Sequence, residues 1–318
     1  MGTEFKVQWG RVQIGTEFTS SRTPSPRARE LRPHELAVPT SSRTPSPSGG
    51  RYFTRSTASH PRVMFPIGDE NPTDNRPVMT WAILGLMVTT WLLAQGAGAD
   101  GTALIKSVCE FGLVPGEVTQ LAPVGLAVPM GSGWACLVDR SAINWFTPLT
   151  SMFLHGGWGH LLGNALFLWV FGDNVEDLMG PKRFLSFYLI CGLAAAALHV
   201  ALQPASPIPT VGASGAISGV MGGYLILFPR HRVRMFFPPI FFFHFPAWLV
   251  LLWWFALQLL AGLPQLTMLH ADPSGGVAVW AHVGGFVAGV LLVRRFALPD
   301  RLARRLRRQV TGGARAFM

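Results

Sequence analysis

Long apolar runs separated by short polar stretches dominate the chain from about residue 78 onward. A helix needs about 20 apolar residues to cross the hydrocarbon core of a bilayer. The run at 213–228 is short and rich in glycine, which indicates a helix buried among others rather than one surrounded by lipid. The pattern predicts an all-α membrane protein with a bundle of six transmembrane helices. The six predicted spans are 78–97, 157–172, 184–203, 213–228, 246–264 and 278–297.

Residues 1–63 lack this apolar pattern. They are rich in Ser, Pro and Arg, and they contain TSSRTPSP twice and GTEF twice. Such a segment cannot bury enough apolar surface to offset the entropy lost on ordering. We therefore expect a disordered low-complexity tail over 1–63, a membrane domain over 64–298 and a basic cytoplasmic tail over 299–318. The repeats also suggest a mis-assigned translation start, with Met64 opening a more ordinary sequence.

Composition agrees with a membrane protein, because 49% of residues are hydrophobic and only 13% are charged. The net charge of +10 raises the question of whether the protein binds nucleic acid. The basic residues, however, lie in the N-terminal tail, in short loops and after the last run, whereas nucleic-acid binding calls for one basic face or patch. We therefore expect a lipid bilayer as the partner and no nucleic acid.

The distribution of Lys and Arg predicts an orientation in the membrane, because these residues favour cytoplasmic loops. They cluster at 182–183, 230–234 and 294–308, whereas the loops at 203–212 and 265–277 contain none. Both termini are therefore predicted to be cytoplasmic. We expect a multi-pass protein of a cell membrane, namely the bacterial inner membrane.

The three cysteines predict no zinc or redox site, because no CxxC pair occurs. Cys191 lies in an apolar run and is read as a packing residue. Cys109 and Cys136 fall in one long loop, and a disulfide between them is possible if that loop is extracytoplasmic. The sequence leaves this pairing open.

Polar side chains inside apolar spans are energetically costly and mark candidate functional residues. His160 and Asn164 are four residues apart and share one face of the second span. Small residues at four-residue spacing let two helix backbones approach closely. Gly215 of the fourth span and Gly285 of the sixth belong to such strips. If these spans pack together, Ser214 meets His282.

These residue types supply the parts needed for acyl transfer. A serine hydroxyl needs a base to become a nucleophile, and histidine is the natural base near neutral pH. The Asn164 amide, the His160 ring N–H and the Ser214 backbone N–H can donate to an oxyanion. A lone Ser or His in a span is more often a packing or structural group. The combination on separate spans favours catalysis, whereas His155 and His199 are expected to be structural.

Three motifs resemble those of the rhomboid family. HGGWGHLLGN looks like HxxxxHxxxN, GASG looks like GxSG, and AHVGGFVAG looks like AHxxG, in an order that fits residues 64–297. The resemblance implies a six-helix core, a Ser214–His282 dyad without an Asp, oxyanion contacts from His160 and Asn164, and no metal or cofactor. The residues expected to play structural roles near the site are His155, Gly212, Gly215, Ser218 and Gly285.

Two positions depart from the family pattern. Many members have a Trp-Arg pair at the end of the first loop, where this chain has Phe146–Thr147. Some members have a Tyr four residues after the serine that stacks on the catalytic His, and this chain has Ser218 there. The base therefore needs another orienting contact. The sequence predicts an intramembrane serine endopeptidase that cleaves single-span membrane proteins. The alternatives are a catalytically silent rhomboid-like protein that binds membrane clients and, more remotely, a transporter. The natural substrate and the oligomeric state stay open.

Overall fold

A computed structural model describes residues 65–130, 133–139, 145–238, 240–267, 278–305 and 307, together with the backbone of 28–30. Most of this part of the chain is helical, and six long helices overlap the six predicted spans. α1 is Val78–Thr89 and continues as a π-helical turn over Thr90–Ala94. The remaining helices are α2 (Gly101–Phe111), α3 (Pro115–Val118), α4 (Thr147–Thr150), α5 (Trp158–Met179), α6 (Pro181–Leu202), α7 (Ser214–Leu227), α8 (Ala247–Thr267) and α9 (Val279–Phe296).

Within the described ranges, three helices are long and apolar enough to cross a membrane by length and composition: Pro181–Leu202, Ala247–Pro264 and Val279–Phe296. Val78–Ala94 and Ser214–Leu227 are shorter apolar helices. In α7 every residue from Gly215 to Tyr224 is buried, as predicted for the short glycine-rich run. α8 lies at the other extreme, because most of its large apolar side chains are exposed, which suits contact with lipid tails.

Two small sheets were not predicted from the sequence, which indicated an all-α fold. β1 (Ala28–Glu30), β3 (Ala127–Pro129) and β4 (Trp134–Leu137) form one antiparallel sheet in the order β1-β4-β3. β2 (Phe65–Asp69), β5 (Arg232–Phe237) and β6 (Phe241–Pro246) form the other, in the order β2-β5-β6. β1 lies within the predicted disordered tail, so that prediction is wrong for 28–30. The rest of 1–63 lies outside the described residues.

The second predicted span was too short, because α5 continues to Met179 through a polar stretch. The carboxylate of Glu176 accepts hydrogen bonds from the backbone N–H groups of Met79 and Thr80, at 2.8 and 2.7 Å. These N–H groups open α1 and have no partner within their own helix. The polar end of α5 therefore caps α1. Gly180, at a φ of 77° that suits glycine, then turns the chain into α6.

The opposite termini of the membrane domain meet at this same end of the bundle. The hydroxyl of Tyr224 in α7 donates to Asp69 at 2.5 Å, which ties β2 to the core. Burial raises the pKa of Asp69 to about 6. Residues 299–305 continue as a helix after α9, and Arg305 bonds Asp177 at 2.8 Å. The first part of the predicted basic tail therefore packs on the domain.

The long segment between α1 and α5 packs over the other end of the bundle. Cys109 and Cys136 form a disulfide that joins α2 to β4, which answers the question left open by the sequence. Leu113 pairs with Thr210, and the Gly116 N–H donates to the Ser206 carbonyl at 2.8 Å. The disulfide-bonded segment and the 203–212 loop therefore lie on the same side of the protein.

Candidate active site

Ser214 and His282 lie in direct contact, as the sequence predicts. The hydroxyl oxygen of Ser214 is 2.8 Å from Nε2 of His282. Ser214 is the first residue of α7, where backbone N–H groups lack helical partners. His282 lies on the first turn of α9 and is buried. The two helices thus bring a hydroxyl and an imidazole to one point.

A glycine seam between α7 and α9 makes this approach possible. We define it as Gly215, Gly219, Gly285 and Gly289. A Cβ added to Gly285 would overlap the carbonyl oxygen of Gly215, and one added to Gly289 would overlap that of Gly219. The backbones therefore touch where no side chain intervenes, as small residues at four-residue spacing allow.

The His160 ring lies against Gly212, two residues before Ser214. The backbone N–H of Gly156 donates to Nδ1 of His160 at 3.3 Å, so Nδ1 acts as the acceptor. The neutral ring then carries its proton on Nε2. That nitrogen faces Gly212, where an added Cβ would overlap the His160 ring and lie close to the Ser214 hydroxyl. At Gly212 φ is 127°, a second reason for glycine at this position.

Asn164 is buried one turn along α5 from His160, and its amide nitrogen has no hydrogen-bond partner among the described residues. Buried donors without a partner are rare and call for a functional or structural explanation. His160, Asn164, Ser214 and His282 all line one cavity of about 580 Å³. The arrangement therefore places a hydroxyl, two imidazole rings and an amide around one space.

Two other histidines have contacts typical of structural residues. The backbone of His155 is held on both sides by the Gln95 side chain, which donates to its carbonyl and accepts from its N–H, both at 2.8 Å. Nε2 of His199 lies 3.1 Å from the Thr210 hydroxyl. Neither Gln95 nor Thr210 was predicted from the sequence.

Residues that contact the far side of the His282 ring were also missed. Nδ1 of His282 lies 2.8 Å from Oε1 of Gln258 in α8. The Trp254 ring, also in α8, lies 5.7 Å from the imidazole between centroids. Ser218 takes no part in this contact, because its hydroxyl donates to the Ser214 carbonyl at 2.6 Å. Because Ser218 stands where some family members have a Tyr that stacks on the histidine, His282 needs another orienting contact. That contact comes from α8.

A hydrogen-bonded Ser–His pair in a cavity within an apolar helical bundle is the arrangement expected of a membrane-embedded serine hydrolase. Comparison with known proteins agrees, because a family model described as the Rhomboid domain matches residues 142–297. Over these residues, which make up just under half of its length and include Ser214 and His282, the chain belongs to the rhomboid family. It is therefore a membrane protein.

Curated relatives come from bacteria and from mitochondria. "Rhomboid protease GluP" of Bacillus subtilis is 41% identical over 92 residues, covering 29% of this chain and 17% of that protein. "Rhomboid protein 1, mitochondrial" of Saccharomyces cerevisiae is 31% identical over 145 residues, covering 44% and 39%. "Presenilin-associated rhomboid-like protein, mitochondrial" of Homo sapiens is 26% identical over 175 residues, covering 49% and 42%.

These matches limit what the relatives imply. The chain spans less than half the length of each of these three relatives. Because mitochondrial proteins are among them, the comparisons do not support the bacterial inner membrane over another membrane.

Proposed function

We propose that this protein is an intramembrane serine endopeptidase that cleaves single-span membrane proteins. The observation that carries the proposal is the 2.8 Å hydrogen bond between Ser214 and His282, inside the cavity that also holds His160 and Asn164. The name of a bacterial relative, a "Rhomboid protease", supports the same reaction class.

In the proposed reaction, His282 Nε2 takes the hydroxyl proton as Ser214 Oγ bonds to the substrate carbonyl carbon. The carbonyl oxygen gains negative charge and accepts hydrogen bonds from the His160 ring and the Asn164 amide. His282 then gives its proton to the leaving amine, and the peptide C–N bond breaks. A water molecule, activated by the same histidine, hydrolyses the acyl-enzyme and releases Ser214. No metal or cofactor enters this scheme.

The proposal includes six membrane crossings, through α1, α5, α6, α7, α8 and α9. α7 has 14 residues. At 1.5 Å per residue it is about 21 Å long, shorter than a hydrocarbon core of about 30 Å. Its first residue, Ser214, would therefore lie below the membrane surface on the side of the 203–212 loop. Cleavage is proposed to occur there, in or near the extracytoplasmic half of the bilayer.

Substitution of each member of the pair tests the reaction. Ser214→Ala and His282→Ala should each abolish cleavage of a transmembrane model substrate, because neither side chain can take the role of the other. The measurement is product formation in proteoliposomes, at equal amounts of inserted protein. A fluorophosphonate probe should label the unaltered protein and leave Ser214→Ala unlabelled.

The same measurements distinguish the rival reading. A catalytically silent protein that binds membrane clients would give neither cleavage nor labelling. Near-normal cleavage by Ser214→Ala would contradict the assignment of Ser214 as the nucleophile.

A further inference from the structure

Gln258 determines which nitrogen of His282 carries the proton. Its amide oxygen lies 2.8 Å from His282 Nδ1, and an amide oxygen can only accept a hydrogen bond. Nδ1 therefore donates and holds the proton of the neutral ring. Nε2 is left with a free lone pair, 2.8 Å from the Ser214 hydroxyl. This is the tautomer that can accept the serine proton.

The contact between α8 and α9 repeats over successive turns. Trp254 and Gln258 are four residues apart on α8, and they face His282 and Phe286, which are four residues apart on α9. The Trp254 ring lies 5.7 Å from the His282 ring and 6.1 Å from the Phe286 ring. One turn beyond Gln258, Gly262 leaves room for the ring of Trp280. The imidazole is thus held by one face of α8.

We propose that Gln258 is a positioning residue that completes a Ser214–His282–Gln258 relay, with the third member supplied by α8. The inference rests on the proposed protease function. Gln258 takes the orienting position that an Asp occupies in many serine hydrolases, but it carries no charge. It therefore fixes the tautomer and ring plane without the electrostatic support that a carboxylate gives an imidazolium.

The proton balance of the reaction is unchanged by this role. The Ser214 proton moves to Nε2 as the Oγ–C bond forms, and the same proton leaves with the amine as the C–N bond breaks. The Nδ1 proton stays in its hydrogen bond to Gln258 throughout. Because Gln258 lies on α8, His282 is correctly oriented only while α8 lies against α9.

Two substitutions of similar size test the relay. Gln258→Met keeps an unbranched side chain of similar length but removes the acceptor. We expect it to lower kcat about tenfold, the effect of one neutral hydrogen bond, with little change in KM. Gln258→Glu restores an acceptor and should recover most of that rate.

The glutamate variant also has a signature that a packing role would not produce. Its carboxylate stabilises the imidazolium, so the acid limb of the pH–rate profile should move to higher pH by about one unit or more. Among the residues that the structure describes, the other titratable groups that act on His282 are His160 of α5 and His199 of α6. Both are retained in each variant.

Leu257→Ala is the matched control, because Leu257 is adjacent to Gln258 but exposed on the outer face of α8. It should keep the unaltered kcat and pH profile. An unaltered kcat in Gln258→Met, or an unmoved acid limb in Gln258→Glu, would overturn the relay. Gln258→Ala, which removes both the acceptor and the volume, separates packing from the relay. If kcat fell only in Gln258→Ala, in step with its thermal midpoint, Gln258 would be a packing residue and the relay would be overturned as well. Cleavage by Ser214→Ala would instead defeat the protease proposal itself.

Discussion

The buried amide nitrogen of Asn164 has no hydrogen-bond partner in the part of the chain that the structure describes, so removal of this side chain should separate activity from stability. Asn164→Ala should lower kcat by about 10²–10³, the usual effect of losing one oxyanion donor. The thermal midpoint should stay the same or rise, because no hydrogen bond is lost with the side chain. Cleavage kinetics and thermal denaturation in detergent measure the two effects. A matching fall in both would assign Asn164 to packing alone.

Most of the candidate site was predictable at the residue scale, because Ser214, His160 and Asn164 are polar groups with meaningful spacing in apolar spans. No helical spacing to another predicted site residue marks Gln258 in the sequence. Its signal was weaker but present, since it is the single strongly polar side chain between residues 246 and 264. Which nitrogen of His282 it contacts depends on how α8 packs, and spacing along one helix cannot give that.

At the scale of helices, the glycine seam predicts a sharp response to a single methyl group. In Gly285→Ala the new Cβ would overlap the Gly215 carbonyl, so α9 must move away from α7. Such overpacking typically costs about 1–3 kcal/mol, and the displaced His282 should lose contact with Ser214. We expect a lower thermal midpoint and a strongly reduced cleavage rate.

Gly85→Ala is the matched control, because Gly85 is a helical glycine in α1 with nothing within 4 Å of an added Cβ. It should be neutral or slightly stabilising, since alanine favours helix more than glycine does. Equal behaviour of the two variants would show that the seam tolerates an added methyl group.

Helices were easier to predict than strands because a long apolar run is a local signal. The polar end of α5 was missed because Glu176 is stabilised by α1, almost a hundred residues earlier in the chain. β2 and β5 were missed for the same reason, since Phe65 pairs with Phe236 across most of the domain. Pairing between such distant segments depends on the packed helices and leaves little trace in either segment alone.

For the whole molecule, we predict that the disulfide end and the arginine-rich end lie on opposite sides of the membrane. Disulfides form in oxidising compartments, whereas Lys and Arg favour the cytoplasmic side. Single cysteines at the exposed positions Ala205 and Asp300 test this, in a Cys191→Ala background that retains the Cys109–Cys136 disulfide. An impermeant maleimide added outside intact cells should label the first and not the second.

Permeabilised cells provide the control, because both cysteines should then react. Labelling of the Asp300 position alone in intact cells would invert the topology, and extracytoplasmic cleavage would no longer follow.

The glycine seam also has a thermodynamic consequence. Two helices that pack within lipid release no water from apolar surface, so their association lacks the heat-capacity change of the hydrophobic effect. The heat capacity of a soluble domain rises by about 12–15 cal/mol/K per residue on unfolding. Its free energy of unfolding is therefore a curved function of temperature. Separating α7 from α9 in a bilayer should carry almost none of this curvature. The free energy that holds α7 against α9, and with it the contact between Ser214 and His282, should therefore fall nearly linearly with temperature. The contact should not be lost on cooling.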